Sequence, residues 1–265
     1  MFDCQATTKR GKALVTGGAG FIGSHLSEAL LESGYEVVTV DDLSTGTLEN
    51  IGHLTKRPGF KHVAGSITDP VVMEPLIDDC SVIFHLAAAV GVELILRDPV
   101  KTIETNILGT REILSLAQRY GRKVLLASTS EIYGKSIDVP FKEDDNRVLG
   151  STTKTRWSYS TSKAADEFLA LAYYRQMGLP VVIFRLFNTI GPRQTGRYGM
   201  VVPRFVDQAL TGARLTVYGD GQQSRCFCDI QDVLSAIIGL AESDEAVGEV
   251  FNIGSTEEFK VIDLA

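Results

Sequence analysis

The sequence predicts an α/β protein in which a doubly wound parallel sheet carries a smaller α/β lobe near its C-terminal end. Two observations support this prediction. From the N-terminus to Phe187, short apolar runs alternate with amphipathic helical patterns, and a glycine-rich turn connects the first run to the first helix. Such alternation indicates parallel strands with helices on both faces of the sheet. Beyond Phe187 glycine-rich loops become frequent, so we divide the chain into domains 1–187 and 188–265, the second interleaved with the sheet of the first.

The predicted elements follow from the period of the apolar residues along the chain. Apolar runs of strand length lie at 13–16, 37–41, 61–64, 82–86, 124–128 and 181–187. Helical patterns cover 21–33, 71–77, 99–120 and 158–177. In the C-terminal lobe we predict a helix over 201–211 and a strand at 215–218. Ligands bind such sheets beyond the carboxyl ends of the strands, so residues that follow a strand are candidates for the functional site.

Composition and charge exclude several classes of protein. Of the 265 residues 44% are hydrophobic and 22% are charged, which is typical of a globular protein with a large core. The net charge of −7 disfavours a nucleic-acid partner, because phosphate binding depends on clustered Lys and Arg. No apolar run reaches membrane-spanning length, and residues 1–11 lack the apolar core of a signal peptide, so we expect a cytoplasmic protein without a membrane partner. Cys226 and Cys228 have no second Cys/His pair at zinc spacing, so no metal site is expected.

Three glycines between the first strand and the first helix predict a dinucleotide site. Gly17 permits a tight turn, Gly20 allows the backbone to approach a pyrophosphate, and Gly23 allows the helix to pack closely on the strand. The N-terminus of that helix, at Phe21 and Ile22, offers unpaired N–H groups and the positive end of a dipole to the phosphates.

An acidic residue at the end of the second strand indicates which dinucleotide binds. Asp41 follows the glycine turn at the spacing typical of dinucleotide sites, where a carboxylate can accept hydrogen bonds from the adenosine ribose and would repel a 2′-phosphate. No Lys or Arg lies in the turn at 42–46. The sequence therefore favours NAD over NADP.

A tyrosine and a lysine four residues apart form the candidate catalytic pair. Tyr159 and Lys163 lie on one face of the helix predicted at 158–177. A free phenol has a pKa of about 10, and a neighbouring ammonium stabilises the phenolate, so we expect Lys163 to lower the pKa of Tyr159. The pair would then take a proton from a sugar hydroxyl while a hydride leaves for the nicotinamide. The polar strand end at 128–131 supports this interpretation.

These motifs together resemble those of the extended short-chain dehydrogenase/reductases, the Rossmann-fold group of nucleotide-sugar epimerases, dehydratases and decarboxylases. The matching segments are 16–23, 41–46, 85–88, Tyr159 with Lys163, and 191–193. The resemblance implies NAD that is retained and recycled, oxidation at sugar C4 to a transient 4-ketose, and a homodimer joined by the helices at 99–120 and 158–177. It also implies cofactor contacts from Gly17, Gly20, Phe21, Ile22, Gly23, Asp41, Ser44, Gly46, Ser66, Ile67, Leu86, Ala87, Ala88, Asn106, Ser128 and Lys163.

Within this group, residues 129–134 and 154–159 resemble UDP-glucuronate decarboxylases. The resemblance implies that Thr129 hydrogen-bonds the C4 oxygen beside Tyr159, and that Ser130 and Glu131 lie near C5. Oxidation at C4 makes the C6 carboxylate a β-keto acid, which loses CO₂ readily. We expect a pocket for this step to leave Glu131 partly desolvated. A nucleotide-sugar 4,6-dehydratase, a UDP-sugar 4-epimerase and a NAD-binding protein without catalysis are the alternatives.

The C-terminal lobe is expected to hold a nucleotide-sugar substrate, because glycine-rich loops with arginines suit a diphosphate. The resemblance implies substrate contacts from Asn188, Arg193, Tyr218 and Arg225. Arg197 is a further candidate in the same loops. Two features depart from the group: Ser66 stands where an Asp directed at adenine is common, and relatives continue beyond the helix begun at 260–265. We therefore expect a shortened substrate lobe and a protein that binds NAD but turns over poorly.

Overall fold

A computed structural model describes residues 10–89, 92–196 and 200–265. Within these residues the strands are β1 (Lys12–Thr16), β2 (Glu36–Asp41), β3 (Phe60–Ala64), β4 (Val82–His85), β5 (Lys123–Thr129), β6 (Val181–Leu186), β7 (Thr189–Ile190), β8 (Ser224–Cys226), β9 (Cys228–Asp229), β10 (Val250–Ile253) and β11 (Glu258–Lys260). The helices are α1 (Phe21–Glu32), α2 (Pro70–Asp78), α3 (Val92–Arg97), α4 (Pro99–Tyr120), α5 (Trp157–Met177), α6 (Val201–Leu210), α7 (Ile230–Glu242) and α8 (Val261–Leu264).

Seven parallel strands form the central sheet, in the order β10-β6-β5-β4-β1-β2-β3. The chain runs outward from β1 through β2 to β3 and then returns to the other side of β1 for β4, β5 and β6. Loops after the neighbouring strands β1 and β4 therefore leave in opposite directions, which opens a crevice at their carboxyl ends. The doubly wound parallel sheet predicted from the sequence is confirmed.

Alternate residues of the central strands fill two apolar layers, one on each face of the sheet. Leu14 of β1 belongs to the layer that contains apolar residues of α2, α4 and α5. Its neighbours Ala13 and Val15 belong to the other layer, with residues of α1 and α7. This alternation is the two-residue period of a strand, and burial on both faces explains why the strands read as continuous apolar runs.

The strands and helices predicted before Asn188 are confirmed, and their bounds agree with the structure to within one position at either end. Two helices, α3 and α7, are missing from the prediction. The signal for α7 is present in the sequence, because Ile230, Val233, Leu234 and Ile237 are buried at helical spacing. Asp229 caps this helix by accepting a hydrogen bond from the N–H of Gln231.

The strand predicted at 215–218 is wrong, because this segment is irregular. Side chains of α6 take the backbone hydrogen bonds that a neighbouring strand would have supplied. The N–H of Thr216 donates to Gln208 Oε1 at 3.0 Å, and Arg204 Nη2 donates to the Thr216 carbonyl at 3.0 Å. Cys226 and Cys228 lie in the strands β8 and β9, which belong to two different small sheets, with β11 and β7 respectively.

The C-terminal region returns to the main sheet through β10, which pairs in parallel with β6. Helix α7 packs in the same apolar layer as α1. The division of the chain after Phe187 stays a prediction, since part of the second predicted domain completes the sheet of the first.

A buried ion pair holds α5 against β6. Arg185 Nε and Nη2 donate to the two carboxylate oxygens of Glu167 at 2.9 and 2.8 Å, and Arg185 Nη1 donates to the Tyr133 hydroxyl at 2.7 Å. A two-point contact of this kind restricts the orientation of both side chains. It sets the position of α5, whose first two turns carry Tyr159 and Lys163.

Candidate active site

A cavity of about 760 Å³ lies at the carboxyl ends of the sheet strands, between the sheet and the C-terminal lobe. Of the sequence-predicted site residues, the cavity is lined by Gly17, Gly20, Phe21, Ile22, Gly23, Asp41, Ser44, Ser66, Ile67, Leu86, Ala87, Ala88, Ser128, Thr129, Ser130, Glu131, Tyr159, Lys163, Asn188, Tyr218 and Arg225. Residues that lie far apart in the sequence are thus brought to one concave surface.

The turn between β1 and α1 leaves no room for side chains. Gly17 has a φ of +72°, a conformation that favours glycine. A Cβ atom on Gly23 would lie 2.2 Å from the Gly17 carbonyl oxygen, so the helix can approach the strand only with glycine there. No side chain caps the N-terminus of α1. Its backbone N–H groups face a cradle that fits a pyrophosphate.

The Asp41 side chain lies at the end of β2, beside the glycine turn. Its two carboxylate oxygens accept hydrogen bonds from the N–H groups of Ala19 (3.0 Å) and Leu43 (2.8 Å). Burial raises the pKa of Asp41, while these two backbone hydrogen bonds act in the opposite direction. Gly46 packs against Ala19 and the Asp41 carboxylate rather than lining the cavity. The turn therefore orients Asp41 as an acceptor for a ribose.

Ser128 and Asn106 differ in what they offer a cofactor. Ser128 Oγ is buried at the cavity wall and has no hydrogen-bond partner in the described part of the chain, so it is available to a ligand. The Asn106 amide is already engaged: Nδ2 donates to Ser162 Oγ at 3.0 Å, and Oδ1 accepts from the N–H of Ala89 at 2.9 Å. Asn106 is not among the cavity-lining residues, and its contacts hold the loop after β4 instead.

The candidate base, Tyr159, lies beside Thr129 and between two carboxylates. Burial of the phenol, followed by the negative charges of Glu131 and Asp166, raises the pKa of Tyr159, and a hydrogen bond to Thr129 acts in the opposite direction. The expectation that Lys163 lowers this pKa is therefore wrong for this arrangement. The reason is that Lys163 Nζ donates to Asp166 Oδ2 at 2.8 Å, so a carboxylate already neutralises the ammonium.

Glu131 is held by a cation that the sequence analysis did not assign to the site. Its carboxylate lies 3.1 Å from Arg156 Nη2, and the side chains of Glu131 and Arg156 are 41% and 47% exposed. Glu131 is thus partly withdrawn from water, as expected, and it lies at the open side of the cavity. The guanidinium of Arg156 packs over the Trp157 ring at 5.4 Å. The Arg-Trp pair that precedes α5 was the available sequence signal for Arg156.

The predicted substrate residues separate into two sets. Asn188, Tyr218 and Arg225 line the cavity, whereas Arg193 does not. Arg193 Nη2 instead donates to Glu28 of α1 at 2.8 Å, which turns its guanidinium away from the cavity. The proposal of Arg193 as a direct substrate contact is therefore corrected to a link between the C-terminal lobe and α1. Arg197 lies outside the described residues.

A buried polar chain connects Lys163 with the end of β1. From Asp166 it continues through Thr110 to His85, where His85 Nε2 and Thr110 Oγ1 are 3.1 Å apart. His85 Nδ1 lies 2.8 Å from Thr16 Oγ1, and that hydroxyl accepts a hydrogen bond from the N–H of Ala87 at 3.1 Å. The two hydroxyls satisfy a neutral imidazole, since one ring nitrogen donates and the other accepts.

Two further observations concern ions and membranes. The described ranges contain no group of three or more His, Cys, Asp or Glu residues placed to hold a metal ion. A search of the same ranges found no helix long and apolar enough to cross a membrane.

The fold and the cavity together define a dinucleotide-binding enzyme of the tyrosine–lysine class. The family model described as "NAD dependent epimerase/dehydratase family" matches residues 13–254. The chain belongs to this family, and its cofactor is NAD. The residues present fit NAD: a glycine cradle without side chains, an oriented carboxylate at Asp41 and an unpartnered Ser128 hydroxyl lie along one cavity.

Three similar proteins illustrate the relationship. The UDP-N-acetyl-alpha-D-glucosaminuronate decarboxylase of Bacillus cytotoxicus is 46% identical over 256 residues, which are 96% of this chain and 78% of that protein. UDP-glucuronic acid decarboxylase 1 of Arabidopsis thaliana is 40% identical over 97% of this chain, which spans 57% of the plant protein. The crystal structure of UDP-glucuronic acid 4-epimerase from Bacillus cereus, in complex with UDP-glucuronic acid and NAD, matches with a TM-score of 0.87 at 34% identity. The match covers 96% of this chain and 80% of the epimerase chain.

The buried imidazole of His85 makes stability depend on pH. Burial, aided by the charge of Lys163, lowers the pKa of His85 from 6.5 to about 3. Below pH 6.5 the unfolded chain binds a proton that the folded state excludes, so stability falls as the pH falls from 6.5 toward 3. Each pH unit in this window removes up to about 1.4 kcal/mol.

Denaturant unfolding of the parent protein and of His85→Gln, at a series of pH values, measures this effect. The variant loses hydrogen bonds at every pH but lacks the titrating group, so the difference in unfolding free energy between the two proteins should shrink on acidification. A difference that stays constant from about pH 8 to about pH 5 would contradict a neutral buried imidazole.

Proposed function

We propose that the protein decarboxylates a UDP-hexuronate, UDP-glucuronate or its 2-acetamido analogue, through a 4-keto intermediate with NAD as the recycled cofactor. The observation that carries the proposal is the Glu131–Arg156 pair beside Tyr159. It combines a carboxylate suited to proton transfer with a cation suited to a substrate carboxylate. The two decarboxylases described above, at 46% and 40% identity, support the same assignment.

The residues divide the chemistry among them. When bound, NAD accepts a hydride from C4 and returns it after CO₂ has left. Tyr159 takes the proton of the C4 hydroxyl, and Thr129, to which it is hydrogen-bonded, orients the same oxygen. The C5–C6 bond of the resulting β-keto acid breaks, and its electron pair forms the enolate across C4 and C5. Ser130 and Glu131 supply the proton that C5 then takes up, and Tyr159 returns its proton to the C4 oxygen.

The proton for C5 must come from outside the site, because decarboxylation consumes one proton for each CO₂ released. Glu131 is suited to deliver it, since its side chain is 41% exposed and can exchange protons with water. Tyr159, by contrast, takes and returns the same proton and needs no contact with solvent. The partly exposed position of Glu131 therefore supports decarboxylation.

The charge of the cavity wall suits a substrate with a diphosphate and a carboxylate. Six basic residues line the cavity: Arg97, Lys101, Arg156, Lys163, Arg204 and Arg225. Four acidic residues also line it, namely Asp41, Asp42, Asp98 and Glu131. The wall therefore has a formal excess of two positive charges, whereas the chain as a whole carries a net charge of −7. Arg204 also stacks over the Tyr218 ring at 4.4 Å, which presents a flat surface to the cavity.

A homodimer through α4 and α5 is a further part of the proposal. Both helices expose large apolar side chains: Val100 is 64% exposed, Leu108 48% and Phe168 67%. Burying such residues against a second copy removes apolar surface from water. Sedimentation equilibrium should report about twice the 28.8 kDa mass of one chain, and a monomer at micromolar concentration would contradict the dimer.

Product analysis tests the proposed reaction. We expect mass spectrometry to show loss of CO₂ after incubation with NAD and a UDP-hexuronate, and no change in the masses of UDP-glucose and GDP-mannose. Glu131→Gln keeps the shape of the side chain but removes its proton transfer, so decarboxylation should fall by about 10²- to 10⁴-fold.

The alternatives give different products. Loss of water from a neutral hexose would establish a 4,6-dehydratase, and a new isomer of unchanged mass would establish a 4-epimerase. Solved structures similar to this chain include an enzyme of each kind. The Tyr159→Phe variant separates catalysis from binding alone, because a NAD-binding protein without catalysis would behave identically with and without the phenol.

Arg156 should distinguish a uronate from a neutral sugar. Loss of a charge-assisted hydrogen bond costs about 1.5–3 kcal/mol, so Arg156→Gln should raise the KM for the UDP-hexuronate by about 10- to 100-fold. The affinity for a UDP-pentose, which lacks the carboxylate, should stay within about twofold in a calorimetric titration. Arg225→Gln is the matched control: as a diphosphate contact it should weaken both ligands, and equal losses for both ligands in Arg156→Gln would overturn the role of Arg156.

A further inference from the structure

Asp166 is a buried carboxylate to which the proposed reaction assigns no step. It lies on α5 one turn after Lys163, and their side chains are 0% and 3% exposed. Its Oδ2 accepts from Lys163 Nζ at 2.8 Å, while its Oδ1 is buried without a hydrogen-bond partner in the described part of the chain. A buried carboxylate with one unsatisfied oxygen lowers the stability of the fold, so its presence calls for an explanation.

We propose that Asp166 is a positioning residue that holds the Lys163 ammonium and thereby controls how readily Tyr159 gives up its proton. The inference rests on the proposed function only in taking Tyr159 as the base. Its support is geometric: Lys163 has a buried counter-ion at hydrogen-bond distance, and that counter-ion is tied through Thr110 and His85 to the end of β1. Lys163 is thus anchored to the strand that carries the cofactor cradle.

The electrostatic consequence follows from charge balance. With Asp166 ionised, the Lys163–Asp166 pair is neutral, and the Tyr159 phenol gains little from the nearby cation. Without the carboxylate, a buried ammonium would lack a counter-ion, and the phenolate of Tyr159, four residues away on the same helix, is suited to replace it. Removal of the Asp166 charge should therefore make Tyr159 easier to deprotonate.

Other charged groups act on the same cluster from each element packed against it. Glu167, the neighbour of Asp166 on α5, raises the pKa of Asp166, and burial does so more strongly. His85 on β4 faces the cluster as a neutral ring, because burial holds its pKa at about 3. Glu131, in the short helical segment after β5, raises the pKa of Tyr159. These groups remain in place in an Asp166 variant, so a change in Tyr159 can be assigned to the Lys163–Asp166 pair.

The test is a pH titration of Tyr159 in the protein with NAD bound, read by the ultraviolet difference absorbance of tyrosinate. Subtracting the matching protein that also carries Tyr159→Phe isolates the signal of this residue. In Asp166→Asn, which keeps the shape and the hydrogen bond to Lys163, the onset of ionisation should move to lower pH by about one to two units relative to the parent. The acidic limb of kcat should move in the same direction by a similar amount.

The controls separate this role from a structural one and from failure of the proposed function. Glu74→Gln removes a carboxylate from the exposed pair with Arg119, far from the cavity, and should leave the titration unchanged. Thr110→Val removes the hydroxyl that bonds Asp166, and it should shift the onset in the same direction by less. An unchanged onset in both Asp166→Asn and Thr110→Val would overturn the proposal. Because the absorbance needs no turnover, an inactive protein with a shifted onset would contradict the proposed reaction but not the role of Asp166.

Discussion

The site depends on the parallel pairing of β1 with both β2 and β4. The strands β2 and β4 lie on opposite sides of β1, and all three have their carboxyl ends at one edge of the sheet. The turns that follow them therefore face a common crevice. The glycine turn after β1 and Asp41 at the end of β2 follow from this constraint, and the further pairing of β4 with β5 brings Thr129 to the same edge. A shift of β1 by one residue would exchange the faces to which its own side chains point and would move the glycine turn relative to Asp41.

Charges in the cavity are arranged as pairs rather than as isolated groups. Lys163 with Asp166 is buried, whereas Glu131 with Arg156 lies at the open side. Removing ions from water costs several kcal/mol for each ion, and the buried pair offsets this only through close contact and neighbouring hydrogen bonds. The open pair carries a smaller cost and can separate for a ligand. The buried pair of Lys163 and Asp166 is thus suited to holding a side chain in one position. The open pair of Glu131 and Arg156 is suited to contact with substrate and to proton exchange with water.

Local patterns predicted the elements before Asn188 closely, because a strand buried on both faces and an amphipathic helix each leave a continuous signal. The C-terminal lobe is different. At Thr216 the backbone is satisfied by side chains of α6, which no local pattern announces. Arg193 resembles a substrate contact in its motif, yet it bonds to Glu28, 165 residues away in the chain. Such partners follow from packing and not from spacing.

Local patterns were sufficient to predict the strands and helices of the sheet, the glycine turn, the preference for NAD and the placement of Tyr159 and Lys163 on one helix, since each signal lies in residues close together in the chain. The charges that surround these two side chains follow from packing. Asp166 faces Lys163 because both lie on one buried side of α5, and Arg156 reaches Glu131 because the loop before α5 folds over the end of β5. Burial and the charges of Glu131 and Asp166 raise the pKa of Tyr159, and neither the burial nor the position of Glu131 is encoded in a local pattern.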